Sequence, residues 1–188
     1  MASIENLGSP DVIHGLLEKH SAFWSAQLKA HPDDIQWLLK TFPLEDCRRL
    51  QQMENTWRPT NWKSLAFKET FTALCQVKRR EMLRITVREL AGIAPLHETL
   101  WELSALADFC LQHGLAACEN ELQRRFGMPQ ASFAIFGLGK PGGEELNYSS
   151  DIDLIFVYSE DGKVGRLSHA DYFTRLAERL MEGMRSQN

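Results

Sequence analysis

The sequence predicts an α+β fold that is predominantly helical. Three observations carry this. Before residue 130, apolar residues recur at helical spacing across several long stretches. Residues 133–158, FAIFGLGKPGGEELNYSSDIDLIFVY, break that pattern with two short apolar runs around a glycine-rich turn. After Tyr158 a turn and one further helical stretch follow. The expected organisation is a helical region over 1–129 and a smaller core carrying the strands over 130–188.

The elements follow in chain order. Ser9-Pro10 places an N-cap residue before a proline at N1, which opens a helix expected to run to about Leu28. His31-Pro32-Asp33-Asp34 starts a second, through Phe42, and Leu44–Glu54 reads as a third. Leu16, Trp24, Trp37 and Leu38 fit the buried faces of these helices. A long helical pattern spans Asn61 to Ile93 and meets Gly92 near its end. Leu74, Val77, Leu83, Ile85, Val87 and Leu90 form its apolar face. Arg80, Arg84 and Arg88 recur every four residues and align on one side. That stripe reads either as a solvated face laced with Glu81 and Glu89, or as a surface meeting phosphates or an acidic partner.

Pro95 opens another helix, to about Phe126, closed by Gly127 with Pro129 beyond. Leu96, Leu100, Leu103, Leu106, Cys110 and Leu111 form its stripe. Trp101 and Phe109 are expected against the preceding helix, the two forming an antiparallel pair. Ser159-Glu160-Asp161-Gly162 is turn chemistry. A last helix, about His169 to Met184, has Ser168 as its N-cap and Phe173, Leu176, Leu180 and Met184 as its apolar face.

Composition narrows the function classes. The chain has 188 residues, 44% hydrophobic and 24% charged, enough for a real core. A net charge of −4 argues against a generally basic nucleic-acid-binding surface. No apolar run approaches the ~18 residues of a membrane span, and the N-terminus carries no signal-peptide core. Cys47, Cys75, Cys110 and Cys118 form no C-x-x-C pair. Cys110 and Cys118 would sit about 12 Å apart along a helix, too far for one disulfide. Buried free thiols in a reducing compartment, the cytoplasm, are the expectation. His14, His20 and His31 have no metal-ligand spacing.

The chemistry concentrates in the second apolar run. Side chains two apart on a strand share a face, so Asp151 and Asp153 aim two carboxylates the same way. Asp is depleted in strands, so a pair opening the run Leu154-Ile155-Phe156-Val157-Tyr158 calls for a reason. A hard divalent cation supplies one, since Mg²⁺ prefers carboxylate oxygens together with substrate phosphates. Gly142 and Gly143 upstream let backbone approach a phosphate, and Ser149 and Ser150 add hydroxyl donors. The plainer alternative is a serine-rich turn before a strand with a frayed start. Gly137-Leu138-Gly139-Lys140-Pro141-Gly142 also matches the dinucleotide fingerprint G-x-G-x-x-G. That motif should open a crossover helix, and only Gly143 to Ser150 precede the next apolar run. A Walker A reading fails, because no Gly-Lys-Ser/Thr follows the glycines.

These residues carry a family resemblance. The run GLGKPGGEELNYSSDIDLIFVYSEDG resembles the signature of the glutamine synthetase adenylyltransferase/deadenylylase family, within the polymerase-β-like nucleotidyltransferases. The match to G-x-G-K-x-G-G-x-E-L-N-[FY]-S-S-D-I-D-L-I-F runs from Gly137 to Phe156, with Pro141 where leucine is usual. The Asn147-Tyr148-Ser149-Ser150 form looks more like the amino-terminal, deadenylylating half, and Arg79–Leu111 resembles that half more weakly.

The resemblance implies a polymerase-β-like nucleotidyltransferase core in 130–188. It implies Mg²⁺ or Mn²⁺ on Asp151 and Asp153, and nucleotide or phosphate contacts from Lys140, Gly142, Gly143 and Ser150. Glutamine synthetase, a PII-type signal protein, ATP/ADP and phosphate become the expected partners. The family's third acid lies on a strand resembling V-D-x-R-L-R-P. No such run precedes Asn188, so the core is expected to be incomplete and the sequence a fragment. A nonenzymatic module binding glutamine synthetase or a PII-type protein, a nucleotidyltransferase for another acceptor, and a dinucleotide-dependent oxidoreductase remain as alternatives.

Overall fold

A computed structural model describes residues 7–40, 44–58, 60–149 and 151–185. The described residues form helices α1 (Pro10–His20), α2 (Ala22–Ala30), α3 (Asp33–Lys40), α4 (Leu50–Trp57), α5 (Phe67–Leu90), α6 (Leu96–Phe126) and α7 (His169–Arg185). Strands β1 (Phe133–Leu138) and β2 (Asp153–Tyr158) pair, as do the short β3 (Lys163–Val164) and β4 (Leu167–Ser168). The described residues are thus mostly helical, with two small two-stranded sheets, of which β1–β2 packs on the helices.

Several local signals act as expected. Pro10 occupies the first turn of α1, although the Ser9 hydroxyl makes no cap bond. Gly92 and Gly127, with φ of 73° and 95°, end α5 and α6 in conformations that favour glycine. Ser168 caps α7 by accepting from the Asp171 N–H at 3.0 Å.

Others are redrawn by tertiary demands. The helix expected to reach Leu28 breaks at Ser21, which turns extended and accepts from the Trp24 N–H at 3.2 Å. The helix expected over Leu44–Glu54 begins only at Leu50. Residues 44–49 stay out of helix because their backbone serves buried arginines: Arg88 Nε donates to the Leu44 carbonyl at 2.7 Å, and the Arg48 N–H donates to Glu102 at 2.7 Å. The pattern from Asn61 is a 3₁₀ turn at Trp62–Ser64 followed by α5 from Phe67. The expected extension of α3 through Phe42 lies outside the described residues beyond Lys40.

Helix α5 divides the interior. One of its faces closes a core with α1–α3 through Leu83, Val87 and Ala91, against Ile13, Leu17, Leu28, Ile35 and Leu38. Its other face, through Phe71, Leu74 and Val77, meets α4, α6 and α7 in a second core. Close helix approach relies on glycine. A Cβ at Gly114 on α6 would stand 3.1 Å from Leu180 and 3.2 Å from Phe71. The β1–β2 hairpin docks on α7 by stacked rings. Phe173 lies 5.2 Å from Phe133 and 5.3 Å from Tyr158 between centroids. Leu96, assigned to the apolar stripe of α6, is instead largely exposed at its N-terminus.

The arginine stripe is the largest departure from expectation. It is neither a solvated face nor a phosphate-facing surface. Arg84 and Arg88 are buried between α5 and α6, and Arg80 pairs with Asp34. Glu81 accepts from Arg48 at 2.9 Å, from Arg84 at 2.7 Å and from the Trp57 indole at 2.9 Å. Glu102 of α6 accepts from both Arg84 and Arg88, while Glu98 takes Arg88 at 2.7 Å. Three guanidinium groups thus meet three carboxylates.

Replacing Glu102 with Ala leaves Arg84 and Arg88 short of a buried counter-charge, so a urea titration should show a loss of about 3–5 kcal/mol. Asp34 gives a pH-dependent counterpart. Burial alone would raise its carboxyl, but Arg79 and Arg80 outweigh burial and hold it below the usual range. Its stabilisation is present above the unfolded value of about 3.9 and is lost as pH falls through the lower native value. Asp34→Asn should therefore cost about 2 kcal/mol at pH 7, a gap that closes below about pH 4.

Candidate functional site

The β1–β2 hairpin is antiparallel, with Phe133 opposite Tyr158, Phe136 opposite Ile155 and Leu138 opposite Asp153. The dinucleotide reading is therefore overturned. The glycine-rich turn leads through one 3₁₀ turn into an antiparallel partner, not through a helix into a parallel one.

Alternation places the acids. From Asp151 to Tyr158 exposure alternates with burial, so Asp151, Asp153, Ile155 and Val157 share the outer face. Ile152, Leu154, Phe156 and Tyr158 point at the helices. Asp153 is the first residue of β2, and Asp151 lies two positions before it. Both are exposed, at the end of the hairpin where the turn returns. Their outer-face neighbours are apolar: Phe136, Leu138, Ile155 and Val157 are each partly exposed.

Chain geometry explains the glycines of the turn. Pro141 folds back on Gly137, where a Cβ would stand 2.9 Å from its ring, and a Cβ at Gly142 would stand 3.1 Å from the Gly137 carbonyl oxygen. Gly139 adopts φ of 67°. Pro141–Gly143 forms a 3₁₀ turn capped by Glu144 in the left-handed region, at φ of 56°. The Lys140 carbonyl accepts from the Gly143 N–H at 3.2 Å and from the Glu145 N–H at 2.9 Å. Lys140, Gly142 and Gly143 thus gather in one tight turn beside the strand end. Ser150 lies outside the described residues.

The chemistry available is that of hard oxygen donors. Two carboxylates on one face offer part of the coordination sphere of Mg²⁺ or Mn²⁺, and a phosphate could supply more. Among the described residues, no group of three or more His, Cys, Asp or Glu side chains could hold a metal ion. Behind the hairpin a cavity of about 300 Å³ separates it from α6, lined by Asp108, Gln112, Gly137, Gly142 and Leu154. Burial and the nearby Glu144 charge push the Asp108 carboxyl up. Sequence reasoning missed Asp108, which is four residues from Ser104 and carries no local motif.

Contacts with α5 and α6 that the sequence did not indicate hold the segment leading to the acids. Ser104 of α6 accepts from the Leu146 N–H at 3.2 Å, with both residues buried. Tyr148 sets its hydroxyl against Thr86 and Glu89 of α5. For Ser104 the only sequence signal was polarity within an apolar helical stripe.

Hairpin, turn and helical bed together define an α+β protein that presents a carboxylate pair beside a glycine-rich turn. Residues 16–188 match the family model described as glutamate-ammonia ligase adenylyltransferase, and the chain belongs to that family. Relatives agree. A bifunctional glutamine synthetase adenylyltransferase/adenylyl-removing enzyme of Nitrosococcus oceani is 42% identical over 124 residues, which is 60% of this chain and 13% of that protein. The protein of the same name from Thioalkalivibrio sulfidiphilus is 40% identical over 114 residues, 56% of this chain and 12% of its own length. That of Chromobacterium violaceum is 32% identical over 169 residues, 82% of this chain and 18% of its own length. The chain therefore spans less than a fifth of each of these relatives.

The cysteines stand apart from this chemistry. All four are free; Cys110 and Cys118 are buried as expected, whereas Cys47 and Cys75 are only half-buried. Burial pushes the Cys110 and Cys118 thiols up to about 12. With 5,5′-dithiobis(2-nitrobenzoic acid) at pH 8, those two should react only after unfolding by urea, since the attacking species is the thiolate.

Proposed function

We propose that this chain is part of an enzyme that removes AMP from an adenylylated tyrosine of glutamine synthetase by phosphorolysis. Family membership supports it, together with the Asn147-Tyr148-Ser149-Ser150 form of the motif. The observation that carries the reading is the pair Asp151 and Asp153 on one exposed face at the mouth of the glycine-rich turn. The division into a helical region, 1–129, and a polymerase-β-like core, 130–188, belongs to the same proposal.

In this reading Asp151 and Asp153 would hold Mg²⁺ or Mn²⁺, which would offset charge on the phosphoryl oxygens. Oxygen of inorganic phosphate attacks the AMP phosphorus. The bond to the tyrosine oxygen breaks, ADP leaves, and the phenolate takes a proton. Gly142 and Gly143 keep the turn free of side chains where phosphate approaches. Lys140 brings positive charge, and the Ser150 hydroxyl donates to phosphate. Glutamine synthetase is the macromolecular substrate, a PII-type protein the signalling partner, and the cytoplasm the compartment. Among the described residues, no helix is long and apolar enough to cross a membrane.

The test is ADP release from adenylylated glutamine synthetase, phosphate and Mg²⁺, using this chain and the full-length protein in parallel. Asp151→Asn and Asp153→Asn in the full-length protein should each cut ADP release about 100-fold or more. Their thermal midpoints should hold, because both side chains are exposed. Unchanged ADP release in both variants would refute the assignment.

A further inference from the structure

The segment that delivers the two acids has little secondary structure of its own. Between the 3₁₀ turn ending at Gly143 and the start of β2 at Asp153 lie nine residues, eight of them described. Their position comes from side chains of α5, α6 and the stretch before α4. Arg49, whose guanidinium stacks 4.1 Å above the Trp101 ring, binds Glu144 at 3.0 Å near the surface. Deeper in, the Leu146 N–H reaches the Ser104 hydroxyl. Further along, Tyr148 rests against Thr86 and Glu89.

Ser104 is the buried member of this set. Its hydroxyl has one proton and two lone pairs. The proton goes to the Leu100 carbonyl at 2.9 Å, one turn back on α6, and a lone pair faces the Leu146 N–H. Both bonds therefore hold together with the hydroxyl in one orientation. Leu146 is itself buried, so without Ser104 its amide keeps no water to replace the bond, and the segment must shift to find one. Four residues separate Leu146 from Asp151, and Ile152 between the two acids packs on the same core. A shift at Leu146 is thus passed to the carboxylates.

We propose that Ser104 is a positioning residue for the Asp151–Asp153 pair. Its hydroxyl sets where the 144–149 segment sits on α6, and so the direction in which the two carboxylates are presented to a divalent cation. The bed that carries Ser104 is the α5–α6 pair locked by Glu102, two residues away on α6, so movement between these helices is transmitted to the acids through the same bond. The proposal rests on the reading that the pair binds a divalent cation. It adds the device that fixes the geometry of the pair.

Two measurements on this chain test it. Hydrogen–deuterium exchange, without metal, reads the hold on residues 144–149 in the wild type, Ser104→Ala and Ser104→Thr. Mn²⁺ titration then gives the affinity of the same proteins and of Asp151→Asn/Asp153→Asn. Ser104→Ala should exchange faster in 144–149, with α5 and α6 unchanged, and should bind Mn²⁺ about tenfold more weakly, the scale of lost outer-shell support. Ser104→Thr, which keeps the hydroxyl, should restore both. Faster exchange with unchanged Mn²⁺ affinity would make the bond purely structural and overturn the proposal. Unchanged exchange would overturn it at the first step. If wild type and the double Asn variant bind Mn²⁺ equally, the metal reading itself fails, and the positioning role falls with it whatever the exchange shows.

Discussion

The structure depends on a block of buried charge between α5 and α6. Arg84, Arg88 and Arg48 lie against Glu81, Glu102 and Glu98, with the Trp57 indole closing one end. Removing such groups from water is costly, and their mutual attraction offsets the cost only with closely matched geometry. That condition restricts how α5 and α6 can slide or rotate. Each guanidinium has fixed donor directions, and Glu81 and Glu102 accept at both oxygens. An apolar seam would tolerate more registers. The cluster also keeps residues 44–49 out of helix, because their backbone supplies acceptors and a donor that complete it.

From this block the site can be followed outward. Ser104 and Thr86 occupy the two locked helices, and the segment after the glycine-rich turn rests on both. Phe173 of α7 receives the inner rings of the hairpin. The strand alternation then sends Ile152, Leu154 and Phe156 inward and Asp151 and Asp153 outward. A rigid helical bed, a short hairpin and two exposed acids form one continuous support. Side chains presented on a short connection above a rigid bed have fixed directions and remain open to solvent.

The outer face of the hairpin is unusual for a surface. Phe136, Leu138, Ile155 and Val157 form an apolar patch continuous with Asp153. Contiguous apolar patches of this kind mark contact surfaces.

Sequence alone determined the elements whose cause is local. The paired strands around the glycine-rich turn, the outward pair Asp151 and Asp153, the glycine stops of α5 and α6 and the Ser168 cap follow from short-range rules of period, backbone freedom and capping. Tertiary structure decided what depends on partners distant along the chain. Arg80, Arg84 and Arg88 have the spacing of a solvated stripe, and only the arrival of Glu102 from α6 and Asp34 from α3 buries or pairs them. Residues 44–49 have a helical pattern, yet the arginines claim their backbone. Ser104 is an ordinary helix serine until the Leu146 amide comes to rest on it, 42 residues further along the chain. Periodicity records which face a residue occupies; what that face meets is set by packing between distant segments.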